Sequence, residues 1–416
     1  MQYIIQAPNH LETTIKLPAS KSISNRALII NALAGGEIVA QNLSDCDDTK
    51  VIVNAMRDMP KEIDIMAAGT AMRFMTAYLS VTPGEHIITG TERMKHRPIE
   101  ILVEALRQLG ANIHYVNETG FPPLHIKGKA LEGGLLEIPG NVSSQYISAL
   151  LMIAPILKNG LELKMTGDII SRPYIDLTLW TMREFGAKAD WTSGDTLFIQ
   201  PGNYTPRKYL IENDWSSASY WYEILALSND TDATIKLSGL MDGSKQGDSV
   251  ARYIFSMLGV KTKFSSNIQG KPTTVTLKKS HRIVPRLDYD FINSPDLAQT
   301  FVVCCAAMGV PFHFKGLSSL KIKETDRIEA LKKELRKLGF VIKDLNGSEL
   351  IWDGERCTPT NEPIDTYEDH RMALSFAPLA LKYPEIRINN PSVVTKSYPA
   401  FWDDLKQAGF TIDNTD

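Results

Sequence analysis

The strongest constraint on this fold is a repeat. Five times the chain writes an apolar-x-x-apolar-Gly ending and then turns strand-like: LRQLGANIHY at Gly110, MREFGAKADW at Gly186, FSMLGVKTKF at Gly259, LRKLGFVIKD at Gly339 and LKQAGFTIDN at Gly409. The successive intervals are 76, 73, 80 and 70 residues. A glycine at that place reads as the residue just past a helix, where a positive φ ends the helix and turns the chain into a strand. One or two such endings are common in α/β proteins. Five in near-constant register define a repeating unit.

A second helix series interleaves with the first, beginning at Ser24, Gly69, Ser143, Ser216, Ser294 and Asp369. From Gly69 onward its intervals are 74, 73, 78 and 75 residues, but the first is 45. That step is short by roughly one β-hairpin. Within it, VNAMRDMPKEIDIMAAG shows a helix tail, no glycine turn and one obvious strand around Ile63 to Met66. The second-series helices are apolar nearly all round, as in LLMIAPIL and FVVCCAAM. Such helices belong inside, with strands and amphipathic helices around them. A chain of 416 residues exceeds one compact core. The expected fold is therefore α/β: two similar domains, each of three repeated strand-helix units with inner helices and outer sheets.

A formal net charge of −3 argues against a general nucleic-acid or membrane-surface binder, so any cationic function must be local. Cys46, Cys304, Cys305 and Cys357 form no CxxC pair. They read as buried, reduced thiols of a cytosolic protein, with no zinc or other metal site. The N-terminus, MQYIIQAPNHLETTIKL, lacks the basic-then-apolar pattern of a signal peptide. The longest apolar run, ISALLMIAPIL, falls short of the ~20 residues of a membrane helix. A soluble cytoplasmic protein is expected.

Helix N-termini carry unpaired N–H groups and a partial positive charge, so they favour anions. The predicted helix starts are rich in cations and small polar groups: Lys21, Ser22 and Arg26; Gly69, Thr70 and Arg73; Arg97; Ser143, Ser144 and Gln145; Ser171, Arg172 and Tyr174; Lys323 and Arg327; His370 and Arg371; Lys396. Ser24 and Ser216 read first as helix caps, and Asp326 as a first-turn acid. Arg327 and Arg371 oppose the helix dipole, so a bound phosphate or carboxylate is expected to compensate them. PASKSISNRALI has no GxxxxGK[ST] and is not a P-loop.

Ten stretches in sequence order, PASKSISNRAL, AGTAMR, RMKHRPI, VSSQYISALLM, ISRPYIDLTL, SSASYW, SPDLAQT, IKETDRIEAL, EDHRMALSFA and TKSYPAFW, resemble the enolpyruvyl transferases. The branch that acts on shikimate 3-phosphate is the nearest match. The resemblance covers nearly the whole chain and implies two three-unit domains joined by a hinge, the N-terminal segment completing the second. Residues 19–212, with the second unit shortened, would form the first domain. Residues 1–18 with 213–416 would form the other, with the active site in the cleft between them.

The implied reaction moves the enolpyruvyl group of phosphoenolpyruvate onto the 5-hydroxyl of shikimate 3-phosphate, in aromatic amino acid biosynthesis. No cofactor or metal is needed, and the implied protein works as a monomer on small molecules, with no nucleic-acid or membrane partner. The family is the target of glyphosate. The resemblance implies shikimate 3-phosphate binding by Lys21, Ser22, Arg26, Ser143, Ser144, Gln145, Ser171, Tyr174, Asp296 and Lys323. It places phosphoenolpyruvate against Lys21, Gly69, Arg97, Gln145, Arg327, Arg371 and Lys396. Asp296 is the expected base at the hydroxyl, Glu324 the acid/base at the enol carbon, and Lys21 a bridge that shuttles a proton; His370 is secondary.

Three positions depart from the family pattern: Ala67 stands for an asparagine, Phe74 for a proline, and Ser319 for an asparagine. They motivate a second reading, a catalytically impaired relative that binds anions. A third, the sister transferase acting on UDP-N-acetylglucosamine, is disfavoured because GTERMKHRPI lacks that branch's reactive cysteine.

Overall fold

The computed structural model describes residues 1–36, 40–266, 268 and 270–415. The chain divides into two compact units, Ala19–Ile211 and Met1–Pro18 with Glu212–Asp416. Each has its own apolar core.

In the unit Ala19–Ile211 the inner helices are Lys21–Leu33, Gly69–Val81 and Ser144–Ile153. They are buried on nearly every side, polar residues such as Asn25, Arg26 and Arg73 included. The outer helices Asp47–Asp58, Glu100–Gln108 and Arg172–Glu184 bury one stripe each; Glu100–Gln108 hides Leu102, Val103, Ala105 and Leu106. One sheet runs Glu62–Asp64, Gly84–Thr89, Leu124–Gly128, Asn112–Tyr115. A second repeats the order with Gly134–Pro139, Leu161–Thr166, Thr196–Ile199 and Ala189–Trp191. In both, a parallel pair linked through an inner helix is extended by an antiparallel hairpin that follows an outer helix.

The missing hairpin falls in the first repeat, not the second. Ala40–Gln41 pairs in parallel with Tyr209–Leu210 as a two-stranded sheet, whereas the repeat holding Gly69–Val81 has four strands. The reason is local. Helix Asp47–Asp58 ends on Met59 in the left-handed region, φ 39°, and the chain passes directly into Glu62–Asp64, the first strand of the next sheet.

The other unit repeats the plan. Its inner helices are Trp215–Leu227, Ala298–Met308 and His370–Phe376; its outer ones are Ala251–Met257, Arg327–Lys337 and Phe401–Gln407. Leu287–Asp290, Phe312–Lys315, Glu349–Trp352 and Lys343–Leu345 form a complete sheet. The N-terminal strands supply what the other two sheets lack. Glu12–Lys16 pairs in parallel with Thr234–Met241, which pairs with Pro272–Ile283, and that strand pairs in turn with Leu258–Phe264. Gln2–Gln6 lies antiparallel between Ile386–Asn389 and Thr411–Thr415. Thr13 and Ile15 point inward while Glu12, Thr14 and Lys16 stay exposed, which fixes the register.

The five repeat glycines all have φ between 84° and 98°, each just past a helix end. Cys46, Cys304 and Cys305 are buried free thiols; Cys357 departs from the expectation in being only half-buried. Among the described residues no helix is long and apolar enough to cross a membrane, and no cluster of His, Cys, Asp and Glu could hold a metal ion.

Candidate active site

In the unit Ala19–Ile211 the sequence-derived residues gather at the starts of its helices. Ser20, not Ser24, caps Lys21–Leu33 by accepting from Ile23 N; Ser24 Oγ instead accepts from Ser44 N at 3.1 Å. Lys21 Nζ donates to Asp48 Oδ2 at 3.2 Å. Arg26 is buried, and its acceptors among the described residues are neutral: Thr178 Oγ1 at 2.7 Å, Ser22 O at 2.8 Å, Ser148 Oγ at 3.1 Å and Tyr174 O at 3.3 Å. Burial lowers its pKa to about 10, against the opposing influence of Tyr174. Burying a guanidinium without a paired carboxylate is costly, and among the described residues no ion pair offsets Arg26.

Ser143 caps Ser144–Ile153, its Oγ accepting from Gln145 N at 3.3 Å, while Gln145 Nε2 donates to Thr70 Oγ1 at 3.2 Å. Ser171 precedes Arg172–Glu184 in the left-handed region at φ 54°. This conformation is uncommon for serine and, for a buried residue, marks a constrained turn. Gly69 opens Gly69–Val81, and the Arg97 guanidinium lies against it, so an added Cβ would stand 2.6 Å from Arg97 Nη1. Arg97 Nε is buried with no hydrogen-bond partner among the described residues. The Pro98 carbonyl next to it accepts from Tyr146 Oη at 2.6 Å and Arg73 Nη2 at 3.1 Å, which pins the segment.

The other unit gathers Asp296, Lys323, Glu324, Arg327, His370, Arg371 and Lys396. Arg327 Nη1 reaches Asp296 Oδ1 at 3.1 Å, and Arg371 Nη2 reaches Asp296 Oδ2 at 3.0 Å. Lys323 Nζ lies 3.7 Å from the same carboxylate. Glu324 accepts from Arg327 Nη2 at 2.9 Å and from Lys396 Nζ at 2.6 Å. Enclosure raises the pKa of Asp296, but Arg371, Lys323 and Arg327 outweigh it and hold the carboxyl far below the usual range. Burial pushes Lys323 down, with Asp296 opposing.

Arg327 and Arg371 do sit in first helical turns, as expected, but acids of the chain compensate them here. Asp369 is fully buried, receives Arg327 Nε at 2.7 Å, and caps His370–Phe376 by accepting from Arg371 N at 2.9 Å. Asp326 caps Arg327–Lys337 through Ile328 N and Glu329 N, whereas Asp214 rather than Ser216 caps Trp215–Leu227. His370 is buried, its Nδ1 3.7 Å from Asp369 Oδ1.

A family model described as EPSP synthase (3-phosphoshikimate 1-carboxyvinyltransferase) matches residues 5–67 and 59–405. The chain belongs to the EPSP synthase family. Over 413 residues it is 59% identical to the 3-phosphoshikimate 1-carboxyvinyltransferase of Bacteroides fragilis, with 99% of each chain covered. The protein of that name from Aliivibrio fischeri is 34% identical over 432 residues, covering 97% of this chain and 98% of that one. EPSP synthase from Acinetobacter baumannii has the same fold at TM-score 0.78 and 21% identity, covering 99% of this chain and 100% of that chain. The enolpyruvyl transferase NikO from Streptomyces tendae shares the fold at TM-score 0.71 and 14% identity, with 100% of this chain and 98% of that one covered.

Against the family pattern, Ala67 is exposed, Ser319 is half-buried in the turn Ser318–Ile322, and Phe74 is fully buried with Arg26 over its ring. Sequence reasoning missed the residues that hold the cations: Asp48, Ser148, Thr178, Tyr220 and Asp369. Only Asp369 carried a local signal, as the acid that opens a predicted helix. Tyr220 Oη accepts from Arg371 Nη1 at 3.1 Å across a separation of 151 residues.

Proposed function

We propose that this chain transfers the enolpyruvyl group of phosphoenolpyruvate to the 5-hydroxyl of shikimate 3-phosphate, releasing phosphate by addition and then elimination. The observation that carries the reading is the constellation around Asp296 and Glu324: two carboxylates, each gripped by cations suited to phosphate and carboxylate. Lys21, Ser22, Arg26, Ser143, Ser144, Gln145, Ser171, Tyr174, Asp296 and Lys323 are assigned to shikimate 3-phosphate. Lys21, Gly69, Arg97, Gln145, Arg327, Arg371 and Lys396 are assigned to phosphoenolpyruvate.

In the addition, Asp296 takes the 5-hydroxyl proton as the oxygen bonds to the enol C2. Glu324, which accepts from Lys396 Nζ at 2.6 Å, protonates the C3 methylene, and Lys21 is assigned as a proton shuttle. In the elimination, a proton leaves the new methyl group and the C2–O bond to phosphate breaks, restoring the double bond. Asp296 is a weak base while ringed by bare cations. Bound phosphates and carboxylates would offset that pull and raise its basicity, so substrate binding itself would prepare the base. The reading takes the protein as a cytoplasmic monomer that needs no cofactor, and the four free thiols support a reducing compartment.

The test is phosphate release from phosphoenolpyruvate with each acceptor. Release with shikimate 3-phosphate alone is expected. Release only with UDP-N-acetylglucosamine would move the chain to the sister activity, and release with neither would leave an anion-binding relative.

A further inference from the structure

Arg26 differs from the arginines around Asp296 in how it is held. Arg327 and Arg371 are fixed by carboxylates. Arg26, 3% exposed, is fixed at its edge by two hydroxyls and two carbonyls, and no described carboxylate pairs with it. These in-plane bonds set where the guanidinium N–H groups point but leave its face open. The ring of Phe74, itself fully buried, fills that place, with Arg26 Cζ 5.4 Å from the ring centroid. The ring belongs to Gly69–Val81 and the arginine to Lys21–Leu33, so the contact also joins two inner helices.

We infer that Phe74 is a positioning residue for substrate binding: its ring orients the Arg26 guanidinium and favours its charge through the negative face of the π-system. The inference rests on the assignment of Arg26 to shikimate 3-phosphate. A carboxylate in the same place would also fix the arginine, but it would neutralise the charge that the substrate needs and compete with it for the N–H groups. An aromatic face attracts a cation without occupying its donors. Burial makes the contribution matter, because the cation has lost most of its water and its pKa falls to about 10. The aromatic residue at this position thus has a role in place of the proline of the family pattern. It supports the shikimate 3-phosphate side of the site from the helix that begins at Gly69.

The test is to replace Phe74, in the full-length chain, by 4-fluoro-, 3,5-difluoro- and 3,4,5-trifluorophenylalanine. Each added fluorine weakens the negative face of the ring while leaving its shape almost unchanged. The KM for shikimate 3-phosphate should climb stepwise, to about tenfold at three fluorines, while the KM for phosphoenolpyruvate and the melting temperature hold. A purely packing role would leave the whole series flat, and a flat series overturns the inference. Equal increases in both KM values would do the same. Arg26→Lys tests the underlying assignment separately. If that variant keeps the parental KM for shikimate 3-phosphate, the assignment of Arg26 fails, whatever the fluorine series shows.

Discussion

Asp369 meets Arg327 with both carboxylate oxygens, Oδ2 accepting from Nε at 2.7 Å and Oδ1 from Nη2 at 3.3 Å. The same Oδ1 accepts from Arg371 N at 2.9 Å, so one buried acid orients both arginines that face Asp296. Asp369→Asn keeps an oxygen for the cap but removes the charge opposite a buried guanidinium. Urea unfolding should show a loss of about 3–5 kcal/mol, with a raised KM for phosphoenolpyruvate. A loss under about 1 kcal/mol would mean that Asp296 and Glu324 hold Arg327 by themselves.

Asp296→Asn and Glu324→Gln keep side-chain volume while removing the proton carriers. Each should lower kcat by roughly 10²–10⁴-fold. Binding of shikimate 3-phosphate, measured by calorimetry, should change far less. Near-parental turnover in either variant would remove that residue from proton transfer.

Gly69→Ala tests the close approach of Arg97. The new Cβ would lie 2.6 Å from Nη1 and 3.0 Å from Cζ of Arg97, so the guanidinium must move. Because the backbone at Gly69 is already helical, the fold should tolerate alanine. The expected result is an unchanged melting temperature with kcat/KM for phosphoenolpyruvate down by roughly 10–100-fold. Unchanged kinetics would show that Arg97 can bind from a shifted position.

Glu223 is a buried acid outside the proposed chemistry. It is fully buried on Trp215–Leu227, and neither carboxyl oxygen has a hydrogen-bond partner among the described residues. Burial pushes its pKa well above the usual carboxylate value. Between an unfolded pKa of about 4.3 and that raised value, the folded form keeps a proton that the unfolded chain releases. Stability therefore falls as pH rises through this window and levels off above the folded pKa. Glu223→Leu should remove the decline and stabilise the protein at pH 7 by about 1–3 kcal/mol. Melting curves at pH 5 and pH 8 should show a gap between variant and parent that widens with pH; a constant gap would contradict the linkage.

The sequence by itself determined the repeat, the helix-ending glycines and the inner helices. A positive φ and an all-apolar helix are local properties, written in a few adjacent residues. Sequence also indicated Arg327 and Arg371 as cations at helix starts, because a helix start is local too. It missed by two to four residues on the caps at Ser20 and Asp214, where several nearby Ser and Asp compete for one role. Tertiary structure alone decided which strand the N-terminus completes: Glu12–Lys16 beside Thr234–Met241, more than 200 residues away. It also decided what faces each cation: Asp48 for Lys21, Asp369 for Arg327, and Thr178, Ser148 and Phe74 for Arg26. The physical reason is that strand pairing and charge compensation act through space. Their partners come from separate helices and sheets, and become neighbours only when the core closes.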